Sequence, residues 1–322
     1  MSARIDVDVL GLGAVAIDDF VYVDAYPPPD VKLSVLGRGR QLGGLTATAL
    51  VAAARLGART GYAGVLGDDE LSRAAVSGLA REQIDLSQLV IQADARPIHS
   101  TIVVSPQWGT RNIFFDRHGV VGAHPLLPEP AVIRRSRVLL VDNFGLEGMV
   151  RAARIAHDAG IPIVADFEES GSPFFDELLS LVDHLILSSG FAQAVTNAPD
   201  AASAAAQLWS PARKVVIVTA GADGMWYLAD GDTREAHYQP AFTVNAVDST
   251  GCGDVFHGAY AAGLSRGLSL VDRIRVAAAA AAIKATQPGG QAGIPDWPRV
   301  EEFLRQQSNG GVSPAWAPSR QL

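Results

Sequence analysis

Short apolar segments alternate with longer segments of helical period along most of this 322-residue chain. Ile5 to Leu12 is the first, ending at Gly11-Leu12-Gly13. Leu45 to Leu56 then puts Leu45, Ala49, Ala52, Ala53 and Leu56 on one helical face, and Gly57 marks its stop. Thr60 to Leu66 reads as a strand, and Asp69 to Glu82 as a helix whose opening acids suit the positive helix end. The pattern returns in the strand Arg137 to Val141, the helix Leu146 to Asp158 and the strand Ile161 to Ala165. His184 to Leu187 and Val215 to Thr219 are further strands of the same kind. Strands apolar on both faces must be covered on both faces. The alternation therefore predicts an α/β fold, a mainly parallel sheet flanked by helices with right-handed crossovers.

Two stretches break the rhythm. Asp18 to Arg40 holds Phe20-Val21-Tyr22-Val23, Pro27-Pro28-Pro29 and Leu33 to Leu36. Ser100 to Val104 and Arg111 to Phe115 form a hairpin-like pair around Trp108-Gly109. Strands roughly within 18–40 and 98–118 make either a small separate sheet, a lid that excludes water from a reaction centre, or an extra edge of the main sheet. The whole chain, 1–322, is read as one domain. Its end, 308–322, is rich in Gly, Pro, Ser and Gln and reads as a mobile tail.

A net charge of -8 argues against a general nucleic-acid binder. A single cysteine, Cys252, excludes an internal disulfide, and no metal-ligand spacing appears. The first residues lack the basic start and unbroken apolar run of a signal peptide, and no apolar run is long enough to span a bilayer. A soluble cytoplasmic protein, with no membrane partner, is expected.

The segment Ala246 to Ala259 carries the chemistry. The turn Gly251-Cys252-Gly253 leads straight into a helical run through Leu264. Free N–H groups at a helix start bind anions, and glycines let a phosphate come close. Asp254 sits one step inside this turn. It can accept a proton from a hydroxyl that attacks a phosphoryl group while the amides stabilise the transferring charge. Taken by itself, the pattern also fits an acidic helix cap after a glycine turn.

The longer run Asp248-Ser249-Thr250-Gly251-Cys252-Gly253-Asp254-Val255-Phe256-His257-Gly258 resembles the C-terminal signature of the ribokinase-like (PfkB) carbohydrate kinases, D-T-x-G-A-G-D-x-F-x-G. Ser249 stands for the usual Thr and Cys252 for the usual Ala. The resemblance extends to Asp18 after the first strand, to Gly43-Gly44 ahead of a small-residue helix, and to Gly67-Asp68-Asp69. It continues through the Thr-x-Gly-x-x-Gly segment at Thr219, Gly221 and Gly224 and the closing loop Pro288 to Pro295.

The resemblance implies a ribokinase-like α/β fold with a small β-sheet lid, often used for a homodimer. It implies ATP with Mg²⁺, and K⁺ near Asp248 and Thr250. By it, Asp254 is the base and Gly251, Cys252 and Gly253 are the anion hole. Thr219, Gly221, Gly224 and Gly289 border ATP, and the alanine-rich helix Ala277 to Ala282, with Ala278, walls the adenine. Asp18, Lys32, Gly43, Gly44 and Thr48 contact a small sugar-like substrate.

Some positions depart from the family pattern. The Asn-x-x-Glu that helps organise Mg²⁺ is replaced by Ser188-Ser189-Gly190-Phe191-Ala192, where a serine reads as a helix cap. Leu45 and Thr48 replace the Lys and Asn of ribokinase proper, and Gly293 replaces a cation-binding Ser. The helix start, the closing loop and Lys32 look closest to the sulfofructose kinase and ketohexokinase-like branch. Lys32, Arg38, Arg40, Arg111 and Arg117 make the lid basic, as for an anionic sugar, or are simply solvated. Phe144 speaks against a sulfosugar. His257 reads as a packing residue bonded to a neighbouring strand, and Cys252 as a small apolar filler.

The reading is a kinase of a sugar or sugar derivative. Its rivals are a nucleoside kinase of the same fold, with Tyr22, Trp108, Phe114 or Phe115 stacking a base, and an inactive sugar-binding regulator. A dinucleotide site at Gly11-Leu12-Gly13 is discounted, since it lacks the third glycine and a following helix.

Overall fold

The computed structural model describes residues 6–105, 107, 110–231 and 235–309. The chain runs β1 (Val7–Leu12), β2 (Ala16–Tyr22), β3 (Gly37–Gly43), α1 (Leu45–Arg55), β4 (Thr60–Tyr62), β5 (Val65–Leu66), α2 (Glu70–Arg81) and β6 (Val90–Ile91). It continues through β7 (Ile98–Ser105), β8 (Thr110–Asp116), α3 (Pro130–Ile133), β9 (Ser136–Val141), α4 (Leu146–Asp158), β10 (Ile163–Asp166), α5 (Pro173–Leu181) and β11 (His184–Ser188). The last part holds α6 (Ser189–Thr196), α7 (Ala201–Leu208), β12 (Val215–Thr219), β13 (Met225–Ala229), β14 (His237–Gln239), α8 (Cys252–Ser265), α9 (Leu270–Ala285) and α10 (Trp297–Asn309).

Eight strands form the main sheet in the order β14-β13-β12-β11-β10-β9-β1-β4. From β4 to β12 every pairing is parallel; β13 and β14 add an antiparallel edge. One face is covered by α1, α8, α9 and α10, whose core includes Leu50, Phe256, Val276 and Leu304. The other is covered by α4, α5 and α7, with Met149, Phe175 and Leu208. This is the α/β sandwich that doubly apolar strands require. No helix of the described residues is long and apolar enough to cross a membrane.

The two irregular stretches form a separate four-stranded sheet, order β3-β2-β7-β8, and not an edge of the main one. Here β2 and β7 run parallel while β3 and β8 pair antiparallel on either side. The turn expected at Trp108-Gly109 lies outside the described residues, but its flanking strands pair in register from His99↔Asp116 to Ser105↔Thr110.

Two expectations need correction. Thr60 to Leu66 is not one strand. β4 stays in the main sheet, whereas β5 leaves it to pair with β6. The break falls at Gly64, where any side chain would collide with the Tyr62 hydroxyl, itself tied to the Gly13 carbonyl at 3.0 Å. By contrast, the Gly11-Leu12-Gly13 stretch leads into β2, a strand, in keeping with the discounted dinucleotide site. The expected tail begins too early: α10 reaches Asn309, and residues 310–322 lie outside the described part.

Candidate active site

α8 opens at the C-terminal end of the main sheet, where ligands of α/β folds bind. Its N-cap, Gly251, adopts φ 73°, a left-handed conformation, and a Cβ there would press on the Gly290 carbonyl oxygen at 2.9 Å. Cys252 N–H bonds back to Ser249 O and Val255 N–H to Gly251 O. Among the described residues, the N–H groups of Gly253 and Asp254 have no acceptor. A Cβ on Gly253 would meet nothing within 4 Å, so this turn faces open space. Two free amides at the start of a 14-residue helix make an anion site.

The Asp254 carboxyl is pushed well above the usual carboxylate range. Enclosure in the cleft is the main cause, followed by the charges of Asp166, Glu168 and Asp18, with Lys284 opposing. These groups come from three separate parts of the chain: the end of β10 and its loop, the middle of β2, and α9. Asp18 is buried, and its own pKa is raised to about 6 by that burial.

The remaining residues of the expected sugar side assemble around this point. A Cβ on Gly43 would overlap the Asp18 carboxylate, so only glycine fits there. Gly44 caps α1 with φ 95° against the backbone of Ala14 to Ala16. Thr48 is buried, accepts a hydrogen bond from Gln291 Nε2 at 3.1 Å, and its methyl lies beside Gly251. Lys32 is not part of this cluster. It is exposed in the connection between β2 and β3.

The expected nucleotide side lies along the same sheet edge. Thr219 ends β12, with Gly221 (φ 58°) and Gly224 (φ 83°) framing a one-turn 3₁₀ segment before β13. Gly289, at φ 82°, donates its N–H to Asp248 Oδ2 at 2.8 Å. The alanine wall is narrower than expected: Ala277, Ala279 and Ala280 are fully inside the core and Ala278 is buried, which leaves Ala281 and Ala282 half-exposed. Asp248 Oδ1 accepts from Thr250 N–H at 2.8 Å.

The other singled-out side chains are engaged elsewhere. Ser188 caps α6, accepting from Phe191 N–H at 3.3 Å. His257 is buried and bridges Gly253 O at 2.8 Å and Ile186 O at 2.9 Å, joining α8 to the sheet. Cys252 is half-buried against Ala281 O, and burial raises its thiol pKa, the opposite of a nucleophile. The basic side chains do not converge. Arg40 is paired with Asp19 and Glu70, Arg117 with Glu169, and Arg111 reaches Ser249 Oγ at 3.0 Å. Arg117 also lies over the Phe144 ring at 5.7 Å.

Four groups at the site were not anticipated: Asp166, Glu168, Gln41 and Lys284. Asp166 Oδ2 is buried without a hydrogen bond, 3.1 Å from His257 Nδ1, whose nearer partner is the Gly253 carbonyl. Asn143 Oδ1 holds Glu168 N–H at 2.9 Å. Gln41 Oε1 accepts from Gly290 N–H at 3.0 Å, tying the small sheet to the closing loop. Acids directly after a parallel strand, as in Ala165-Asp166-Phe167-Glu168, were the available signal for the first two.

The family profile described as pfkB family carbohydrate kinase matches residues 7–297. The chain belongs to this family. It is an ATP-dependent carbohydrate kinase. Among curated proteins, it is 29% identical to a ribokinase of Haemophilus influenzae over 307 residues, covering 91% of this chain and 97% of the other. It is also 29% identical to fructokinase-1 of Oryza sativa subsp. japonica, over 82% of this chain and 87% of that one. A solved structure of a ribokinase-like protein from Agrobacterium tumefaciens superposes with a TM-score of 0.88 at 27% identity, covering 94% of this chain and 99% of its own.

Proposed function

We propose that this kinase transfers the terminal phosphoryl group of ATP to a hydroxyl of a sugar or sugar derivative, with Asp254 as the general base. The observation that carries the reading is the pairing of two acceptor-free amides, Gly253 and Asp254, with the Asp254 carboxylate at the same helix start. The hydroxyl gives its proton to Asp254 as its oxygen forms the new bond to phosphorus. The bond to the leaving ADP breaks, and the amides hold the charge on the transferring group.

Asp18, beside Gly43 and Gly44, orients the sugar hydroxyls, and Thr48 shapes the floor. Thr219, Gly221, Gly224 and Gly289 border the nucleotide, with Ala281 and Ala282 of the alanine-rich helix as its exposed wall. Among the described residues no cluster of three metal-binding side chains could hold an ion by itself. Magnesium would arrive with the ATP phosphates and neutralise them, faced by Asp166 and Glu168, and the lone buried oxygen of Asp166 suits such a cation.

The small sheet is read as the lid over this cleft. Its edge strand β8 leaves Ile113, Phe114 and Phe115 about half-exposed on alternate sides of the strand, apolar surface fit for a second copy of the chain. ATP supply puts the work in the cytoplasm. The sugar stays open, because Leu45 and Thr48 offer fewer polar contacts than the ribokinase pattern and the basic lid residues are dispersed.

The test is ADP release from Mg-ATP over a panel of ketoses, aldoses, sugar acids and nucleosides, repeated with Asp254→Asn. The variant is expected to keep ATP binding and lose about 10²- to 10⁴-fold in kcat, the range for a lost general base. Near-normal turnover would remove Asp254 from this role. A response to nucleosides alone would transfer the reading to a nucleoside kinase.

A further inference from the structure

Lys284, next to the last residue of α9, is completely buried. Buried lysines are rare and need a partner of opposite sign. This one donates from Nζ to the main-chain carbonyl of Asp248 at 2.8 Å. Its charge is felt by Asp248, Cys252 and Asp254, so it lies behind the anion turn.

Most of the segment it holds is already hydrogen-bonded; the exception is the Thr250 hydroxyl oxygen, buried with no partner. Val247 and Asp248 N–H both donate to Ala285 O, at 2.7 and 3.1 Å. The two carboxylate oxygens of Asp248 each accept a backbone N–H, from Thr250 and from Gly289, both at 2.8 Å. Gly293 contributes no hydroxyl, and a Cβ there would stand 2.7 Å from the Lys284 carbonyl oxygen.

A potassium ion needs several oxygen ligands with lone pairs left to give. Each Asp248 carboxylate oxygen has one lone pair taken by an N–H, the Thr250 hydroxyl is buried without a partner, and the Asp248 carbonyl is already occupied by an ammonium, which decides against a second cation. A second positive charge here would face Lys284 in a space with little water, where like charges repel strongly. The residues present do not fit the monovalent cation expected beside Asp248 and Thr250.

We infer that Lys284 is itself the resident cation of the anion turn, and that phosphoryl transfer by this chain does not depend on an added monovalent ion. This rests on the kinase reading. Lys284 acts as a positioning residue: it fixes the Asp248 carbonyl, hence the path of Ser249 to Gly253 and the direction of the amides at Gly253 and Asp254. Burial lowers its pKa, and the charge of Asp248 opposes that shift.

The experiment measures ADP release with the sugar found above, at constant ionic strength, with potassium, sodium or choline as the only monovalent cation. Thermal midpoints are recorded in the same buffers. The wild-type protein is expected to turn over at the same rate within about twofold in all three, with an unchanged midpoint. Lys284→Ala is expected to lose about 100-fold in choline, the scale of one misplaced anion-hole donor. It should regain at least about tenfold in potassium, and its midpoint should rise in the potassium buffer.

A wild-type rate that requires potassium overturns the inference. So does a folded Lys284→Ala protein with the wild-type rate in choline, or one equally inactive in every cation. If Lys284→Ala does not fold, the wild-type cation series decides alone. If no sugar elicits ADP release, the kinase reading has failed separately. The midpoints still report on Lys284: a rise of several degrees with potassium in the wild type counts against it.

Discussion

A methyl group on Gly258 would overlap the carbonyl oxygen of Ala49, so α8 and α1 touch backbone to backbone at this pair. The contact sets the height of α8 against the sheet and, through it, the place of the anion turn two helical turns earlier. Gly258→Ala is expected to destabilise the fold by about 1–3 kcal/mol, as overpacking does. The check is the midpoint of urea unfolding; an unchanged midpoint would show that the helices can part at no cost.

Gly253 is the opposite case. Its added methyl would enter open space, so Gly253→Ala should fold as well as the parent or slightly better, since alanine favours helix over glycine. The methyl would stand where the transferring phosphate belongs. A fall of about 100-fold or more in kcat is expected with an unchanged melting temperature. Full activity would move the anion site away from this turn.

With Asp254 as the proposed base, its ionisation should set the acid side of the rate profile. Its pKa is raised, mainly by enclosure and then by Asp166, Glu168 and Asp18, and a base works only when ionised. The acid limb of kcat/KM should therefore lie well above pH 4. Removing one of the negative neighbours lowers the Asp254 pKa, so Asp18→Asn should shift that limb to lower pH, whatever it does to KM. A limb that stays in place would uncouple the two carboxylates.

The exposed apolar residues of β8 bear on assembly. With Phe114 and Phe115 replaced by serine, the chain should run as a monomer in light scattering, whereas the parent should be a dimer at micromolar concentration. A parent that is monomeric throughout would leave these rings to another purpose.

Much of this arrangement could be read from residues in order. His184 to Leu187 and Val215 to Thr219 are apolar on both faces because they lie inside a covered sheet, so their burial is written locally. The same holds for the Gly251 to Asp254 turn, where spacing and residue type coincide. The sheet built from β2, β3, β7 and β8 was ambiguous for a physical reason: period-two alternation tells that a strand has an outside, not which sheet it joins. Lys284 could not be read at all. A lysine ending an alanine-rich helix ordinarily faces water at the negative helix end, and only the fold shows it turned inward to Asp248. Asp166 and Glu168 were hidden likewise, because their meaning lies in Asp254, a neighbour that only the folded chain provides.

Asp18 lies on the second strand and Asp254 on the third helix from the end, and the cleft exists only where they meet. A ribosome that has made β1 through β12 has completed most of the parallel sheet, yet has produced neither the anion turn nor the lysine that steadies it. Catalytic competence is therefore switched on late in synthesis, when the final helices dock. Nascent chains and C-terminally truncated products would carry the parallel sheet with one face largely uncovered and no capacity to spend ATP.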